Sequence, residues 1–224
     1  MRADRPRAAV SWSSGKDSAF ALWQVARQGE LEVVELLTTV TKSFGRVSIH
    51  GVREALLERQ ARELGLPLRK VEIPYPCPNA AYDEAMATAV KAMRGNWVSA
   101  VVFGDLFLED IRAYRESKLA ATGLRPVFPL WGRNTTELAD EMVRVGMRAR
   151  LVCVDPRKLS KDFAGREFDA ELLKDLPRSV DPCGENGEFH TFVTAGPMFA
   201  HPIAVEAGEI VERDGFVFAD LKPE

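Results

Sequence analysis

The sequence lacks the hydrophobic segments that mark membrane and exported proteins. None of its apolar runs approaches the ~18 residues that a membrane-spanning helix needs. Its start, Met1 to Arg7, is charged and has no apolar stretch of the kind found in a signal peptide. We therefore expect no membrane association, and we expect the protein to work in the cytoplasm.

The sequence also has few cysteines, few histidines and a small net charge. The three cysteines (Cys77, Cys153 and Cys183) and three histidines form neither a CxxC pair nor a zinc-like spacing. This disfavours a disulfide framework and a structural metal site. The 30 basic and 33 acidic residues leave a formal charge of -3, so no nucleic-acid partner is expected.

Short apolar runs alternate with helical patterns through the first half of the chain. The predicted strands are 8–12, 31–41, 68–73 and 98–104, and the predicted helices are 18–28, 52–64, 80–93 and 110–122. Such alternation predicts an α/β fold with a Rossmann-like parallel sheet covered by helices on both faces. Ligands of these sheets bind at the carboxyl ends of the strands.

The alternation weakens beyond Pro126, where prolines and glycines break the chain into shorter pieces. We place a boundary near Trp131, which gives a first domain at 1–131 and a smaller α+β domain at 132–224. A strand is predicted at 189–194, and two more strands surround Asp214-Gly215, a turn suited to a hairpin.

A polar loop joins the first strand to the first helix. Its sequence is Ser13-Ser14-Gly15-Lys16-Asp17-Ser18. Backbone N–H groups and the positive end of a helix dipole meet in such a loop and form an anion site, to which Lys16 adds a cation. The Walker A pattern is excluded, because Val10 and Asp17 stand where it needs a glycine and a Ser or Thr. Asp17 would repel phosphates unless a cation lies between them, so we expect Mg²⁺ there.

This loop resembles the SGGKDS signature of the PP-loop ATP pyrophosphatases, with Ser14 in place of the usual second-position glycine. The resemblance implies a HUP-type Rossmann-like domain that binds ATP and holds pyrophosphate in the loop. Thr38 and Thr39, which end the second strand, are then candidates for contacts to adenine or ribose.

A second segment follows the fourth predicted strand and opens onto the same crevice. It begins with Gly104-Asp105, which we assign to the site, and continues through Glu109 and Arg112 to Glu116. Glu109 and Arg112 are candidates for substrate binding. The alternative for Arg112 is a solvated i,i+4 pair with Glu116, worth about 0.3 kcal/mol.

A third segment, Asp181 to Thr191, combines two glycines and a proline with many polar groups. The catalytic candidates are Glu188 and His190, and the substrate-binding candidates are Cys183, Gly184, Glu185, Asn186, Gly187 and Thr191. The alternatives are a structural histidine and a buried thiol.

Together the three segments resemble the diphthine ammonia ligase family, with its GDxFLEDxRxYRE-like and CGENGEFHT-like motifs. In that family ATP adenylates the carboxylate of diphthine on translation elongation factor 2, and ammonia then displaces AMP. Residues 46–52 and 74–78 look more like a bacterial branch, so the activity carries over more readily than the acceptor. His50 is a candidate for a contact to nucleotide or substrate.

The resulting hypothesis is an ATP- and Mg²⁺-dependent ligase that amidates a small or protein-borne carboxylate. Lys16 would neutralise charge on the leaving group, Asp17 would hold Mg²⁺ with help from Asp105, and Glu188 or His190 would orient the carboxylate or the amine. No glutaminase domain is visible, so free ammonia is the simplest nitrogen source. A tRNA-modifying adenylating enzyme and a non-catalytic ATP sensor are the alternatives, and a homodimer is one option for the assembly.

Overall fold

The computed structural model describes residues 5–42, 46–47 and 51–224. The strands are β1 (Arg7–Ser11), β2 (Glu32–Thr41), β3 (Arg46–Val47), β4 (Leu68–Ile73), β5 (Val98–Val102), β6 (Arg125–Val127), β7 (Arg148–Val154), β8 (Phe189–Ala195), β9 (Val205–Arg213) and β10 (Phe216–Pro223). The helices are α1 (Lys16–Gln28), α2 (Glu54–Leu64), α3 (Asn79–Gly95), α4 (Glu109–Ala120), α5 (Thr135–Arg144) and α6 (Ala170–Asp175), with a 3-10 turn at Lys161–Phe163.

The first sheet has six strands in the order β3-β2-β1-β5-β6, with β4 also beside β2. Strand β1 runs parallel to β2 and β5, β2 to β4, and β5 to β6. The two-residue β3 is antiparallel to β2. The predicted Rossmann-like parallel sheet is therefore confirmed, with one short antiparallel addition at its edge.

Helices cover both faces of this sheet, as alternate residues of a single strand show. On β1, Ala8 and Val10 pack into a large cluster with residues of α1 and α2, whereas Ala9 points into a second cluster with residues of α3. A strand buried on both faces must be apolar at successive positions, which is why β1 carries no polar alternation.

The second sheet is antiparallel, in the order β8-β7-β10-β9. Strands β9 and β10 form the predicted hairpin, and its turn residues Asp214 and Gly215 have φ of 52° and 79°. This sheet shares the larger hydrophobic cluster with the first one, since Leu151 and Val217 are buried in the same cluster as Val10. The boundary near Trp131 stays a prediction.

Beyond residue 122 the sequence reading missed β6, α5, β7 and α6. Strand β6 contains Pro126, the residue beyond which the alternation of strands and helices was expected to weaken. Because β6 lies at the edge of the sheet, the missing N–H of a proline is tolerated there. Strand β5 also ends at Val102 rather than at Gly104, which places Gly104 in the loop that follows.

No helix in residues 5–42, 46–47 and 51–224 has both the length and the apolar character needed to cross a membrane.

Candidate active site

The polar loop between β1 and α1, which we call the phosphate loop (residues 13–18), is held by its own hydroxyl groups. Ser18 donates from its Oγ to the Gly15 carbonyl at 3.0 Å and lies 3.1 Å from the Oγ of Ser13. Helix α1 begins at Lys16, so the first N–H groups of the helix have no intrahelical acceptor. The loop therefore gathers amide donors beside the positive end of α1.

Lys16 is buried, with 2% of its side chain exposed. Its Nζ lies 2.8 Å from both carboxylate oxygens of Asp17 and also donates to the carbonyl of Cys183. Burial, the largest single effect, disfavours the charge on Lys16, but the neighbouring Asp17, Cys183 and Glu185 together outweigh it, and the pKa of Lys16 is raised. Burial in turn raises the pKa of Asp17 against the opposing effect of Lys16. The two side chains form an ion pair in which Lys16 is buried and Asp17 is partly exposed.

The C-terminal half of the chain completes this loop. The backbone N–H of Lys16 donates to the Thr191 hydroxyl at 3.1 Å, and the N–H of Val193 donates to the Ser14 carbonyl at 3.0 Å. The Glu185 carboxylate accepts from the Leu106 N–H at 2.7 Å. The structure thus brings together the three polar segments that the sequence singled out.

A cavity of about 240 Å³ opens where these segments meet. The predicted residues that line it are Ser13, Gly15, Lys16, Asp17, Ser18, Gly104, Asp105, Gly184, Glu185, His190 and Thr191. Gly104 is needed for this arrangement, because a Cβ at this position would lie 2.7 Å from the Asp17 carbonyl carbon and 2.8 Å from the Ser18 nitrogen.

A second, more apolar cavity of about 390 Å³ adjoins the first. Thr38 and Thr39 line it, together with apolar side chains such as Met86 and Met93 of α3. The Thr38 hydroxyl donates to the Trp12 carbonyl at 2.6 Å. The residues that line both cavities are Ser11, Ser13, Phe103 and Arg115.

Arg115 stands at this junction and was missed by the sequence reasoning. Its guanidinium binds both carboxylate oxygens of Asp105, at 2.6 and 3.1 Å, and lies 4.6 Å from the centre of the Phe103 ring. No local signal distinguishes it from Arg112, which lies three residues earlier on α4.

Arg112 and Glu109, in contrast, are not brought into the cavities. The Arg112 side chain donates to Glu116 at 2.8 Å, and its guanidinium lies over the rings of Phe128 and Trp131, at 5.1 and 4.7 Å. Glu109 is exposed at the first turn of α4. The solvated helix pair that the sequence left open is therefore the contact that Arg112 makes.

Several predicted residues of the third segment hold the loop instead of facing the cavity. The buried Glu188 carboxylate accepts from the Asp181 N–H at 3.1 Å and from the Asn186 amide at 3.2 Å. The Cys183 thiol donates to the Thr135 carbonyl at 3.4 Å, and burial raises its pKa to about 12. Gly187 has a φ of 78°, a conformation that suits glycine.

Two titratable groups in the first cavity have shifted pKa values. Burial raises the pKa of Glu185 to about 7, against the lowering effect of the Leu106 N–H. Burial also lowers the pKa of His190 to about 4, and the nearby Lys16 charge acts in the same direction. At neutral pH the imidazole is therefore uncharged, while Glu185 exists in both protonation states.

Two further predictions concern His50 and the Mg²⁺ site at Asp17. His50 lies outside the described residues. Within the described ranges no group of three or more His, Cys, Asp or Glu side chains has the arrangement of a metal site. Both oxygens of the Asp17 carboxylate are bound by Lys16, so a Mg²⁺ ion at Asp17 would compete with this ion pair.

Known proteins resemble this chain over nearly all of its length. The family profile of the diphthamide synthase N-terminal domain matches residues 6–126, and that of the diphthamide synthase C-terminal domain matches residues 134–222. The diphthine–ammonia ligase of Mus musculus is 26% identical over 239 residues, covering 96% of this chain and 88% of the relative. The corresponding protein of Homo sapiens is 25% identical over 238 residues, with the same coverage of 96% and 88%.

Among solved structures, a predicted subunit of tRNA methyltransferase from Methanocaldococcus jannaschii is similar with a TM-score of 0.39 and 17% identity, covering 83% of this chain and 95% of that one. The two family profiles together span most of the sequence, from residue 6 to residue 222. The chain carries the diphthamide synthase N-terminal domain followed by the C-terminal domain, and it therefore belongs to the diphthine–ammonia ligase family.

Proposed function

We propose that this protein is an ATP-dependent ligase that adenylates a carboxylate, releasing pyrophosphate, and then joins it to ammonia with loss of AMP. The observation that carries the proposal is the pair of adjoining cavities, one polar and built around the phosphate loop, the other largely apolar. A nucleotide has the same division into a charged and an apolar end.

The polar cavity suits the phosphates. The N-terminal amides of α1 and the buried ammonium of Lys16 favour negative charge there. The apolar cavity, with Thr38 and Thr39 on its wall, suits the base and ribose. The two cavities, of about 240 and 390 Å³, fall together within the range of roughly 300–1,000 Å³ usual for ligand pockets.

Arg115 lies where the base end meets the phosphate end, which is the position of an α phosphate. Its pairing with Asp105 and its stacking on Phe103 fix the guanidinium in place before any ligand arrives. A preorganised cation at this position stabilises charge that develops in a transition state without a cost of reorientation. ATP bound in this way would supply the adenylyl group that activates the carboxylate.

The acceptor side is supplied by the third segment. Glu185 and His190 line the polar cavity together with residues of the phosphate loop. His190 is uncharged at neutral pH, so it can exchange hydrogen bonds with a carboxylate or an amine without adding positive charge. With its pKa at about 7, Glu185 can accept the proton that an ammonium ion must lose before it attacks.

A magnesium ion fits this site only in part. Asp17 is the carboxylate within the phosphate loop, and Mg²⁺ is usually held by one or two carboxylates together with substrate phosphates and water. Opening of the Lys16–Asp17 ion pair on binding of the metal–nucleotide complex would free the Lys16 ammonium for the phosphates. Asp105 is less available, because both of its oxygens are bound by Arg115.

The test is to incubate the protein with ATP labelled at the α phosphate, Mg²⁺, ammonium, a pool of small carboxylates and cell extract, and to separate the nucleotides. Lys16→Met, which keeps the length and apolar stem of the side chain, should produce no labelled AMP. Lys174→Gln, at an exposed position on α6, serves as the matched loss of a positive charge.

Labelled AMP formed by the native protein and by Lys174→Gln, but not by Lys16→Met, supports the proposal and directs fractionation toward the acceptor. Labelled ADP would contradict cleavage between the α and β phosphates. Tight ATP binding without turnover in any pool would favour a non-catalytic sensor.

A further inference from the structure

Gln60 of α2 is fully buried beneath the phosphate loop, with 0% of its surface exposed. Its side-chain oxygen accepts from the Trp12 indole N–H at 2.9 Å. Its side-chain nitrogen donates to the Ser14 carbonyl at 3.0 Å and to the Val193 carbonyl at 2.8 Å. Because one partner is a donor and two are acceptors, only one orientation of the amide satisfies them all.

One of these partners has an unusual backbone conformation. Ser14 has a φ of 69°, in the left-handed region that glycine adopts readily and other residues rarely do. Such a conformation persists only where the surroundings impose it. The Ser14 carbonyl accepts two hydrogen bonds, from Gln60 and from the Val193 N–H, both at 3.0 Å.

The same amide also connects the loop to the second sheet. Gln60 and Ser14 both bind the peptide groups of Val193 on β8, one through the Val193 carbonyl and the other through its N–H. Two residues earlier on the same strand, the Thr191 hydroxyl accepts from the Lys16 N–H. Gln60 therefore lies at the point where β1, the phosphate loop and β8 are joined.

We propose that Gln60 is a positioning residue for the nucleotide site, which holds Ser14 in its left-handed conformation so that the amides after it face the polar cavity. This inference rests on the proposed function for its ligand. Gln60 itself is buried behind the cavity walls and is not part of them, so it acts through the backbone of the loop.

The contrasting explanation is that Gln60 only stabilises the fold as a satisfied buried amide. The two explanations differ in what Ser14→Gly does. A glycine at position 14 adopts the left-handed conformation without help, so it should compensate for the loss of Gln60 only if that conformation is what Gln60 maintains.

The experiment compares Gln60→Met, Ser14→Gly and the double variant with the native protein. Binding of Mg-ATP and, separately, of pyrophosphate is measured by titration calorimetry. Asp169→Ala is the control for reduced stability, because it removes the N-terminal cap of α6 at a residue that lines neither cavity. Should Gln60→Met fail to fold, Gln60→Asn is measured in the same way, since its shorter side chain cannot reach all three partners.

We expect Gln60→Met to weaken binding about tenfold or more, the change that corresponds to losing one well-placed hydrogen bond. Asp169→Ala should lower Tm but leave the dissociation constants unchanged. Adding Ser14→Gly to Gln60→Met should restore most of the lost affinity. Equal weakening by Gln60→Met and Asp169→Ala, or no recovery in the double variant, would overturn the proposal.

Hydrogen exchange provides a readout that needs no ligand. Peptides covering residues 13–19 should exchange faster in Gln60→Met than in Asp169→Ala or the native protein. If the native protein binds neither probe, the proposed function fails, yet the exchange of this loop still decides the role of Gln60. Unchanged loop exchange in Gln60→Met would refute that role on its own.

Discussion

Replacing Ser14 by glycine should make this protein more stable, although glycine usually has the opposite effect. The structure gives two reasons. Ser14 adopts a φ of 69°, which costs a residue with a Cβ about 1–2 kcal/mol. Its hydroxyl is also buried, without a hydrogen-bond partner in the described part of the chain, at a cost of about 1–3 kcal/mol.

Two terms act against the substitution. Glycine gains about 0.4–1 kcal/mol of conformational freedom in the unfolded chain. Removing two heavy atoms from a fully buried position also forfeits packing, by about 1 kcal/mol. At the middle of these ranges the balance is a net stabilisation of about 2 kcal/mol, equivalent to a rise in Tm of roughly 4–8 °C for a chain of this length.

Thermal unfolding of native protein, Ser14→Ala and Ser14→Gly separates the two contributions. Ser14→Ala removes the unpaired hydroxyl but keeps the left-handed cost, so its Tm should lie between the other two. The reasoning is refuted if Ser14→Gly melts below the native protein. If Ser14→Ala alone is less stable than the native protein, the Ser14 hydroxyl makes a hydrogen bond in the native fold.

Three other predictions test the site. Gly104→Ala should destabilise the fold by about 2 kcal/mol, seen as a Tm lower by roughly 4–8 °C, because its Cβ would meet the backbone of Asp17 at 2.7 Å. Arg115→Gln should weaken ATP binding or AMP formation about 10- to 100-fold, as expected for a lost charge-assisted hydrogen bond, whereas Arg112→Gln, which lies outside both cavities, should change either by less than about threefold. The pKa of His190 is about 4 in the folded chain, below its usual value of 6.5. Between pH 6.5 and pH 4 the unfolded chain therefore binds a proton at His190 that the folded chain does not, and stability is lost as the pH falls through this window. Denaturant unfolding should show the native protein losing about 2 kcal/mol more than His190→Gln between pH 7 and pH 4.5, and equal losses would contradict the buried neutral imidazole.

The helices and strands of the first half of the chain were predictable because residues close together in sequence determine them. Strand β4 lies at Leu68–Ile73, the range that its apolar pattern indicated, and α1 ends at Gln28 as predicted. Each of these segments is followed or preceded by glycine or proline in a position that suits its end. The left-handed Gly29 after α1 is one such signal.

The residues that the sequence could not reveal act through distant partners. Gln60 lies 46 residues from Ser14 and 133 from Val193, so no local pattern connects it to the phosphate loop. Arg115 and Arg112 occupy the same helix, and only the tertiary packing of α4 decides which of them faces the cavity. Glu188 was predicted as a catalytic carboxylate, and its hydrogen bonds to Asp181 and Asn186 depend on a turn geometry that composition does not encode.

The third segment, Asp181 to Thr191, also sets limits on how this family can diversify. Thr191 receives a hydrogen bond from the phosphate loop, and Gly184 would clash with the Phe189 carbonyl if it gained a side chain, so substitutions at either position should disturb the wall of the polar cavity. Asn186, by comparison, is exposed at the tip of the segment, where its amide donates to Glu188. Under the proposed function, a change of acceptor would therefore be expected to spare the base of this segment, which is fixed by its contacts with the phosphate loop.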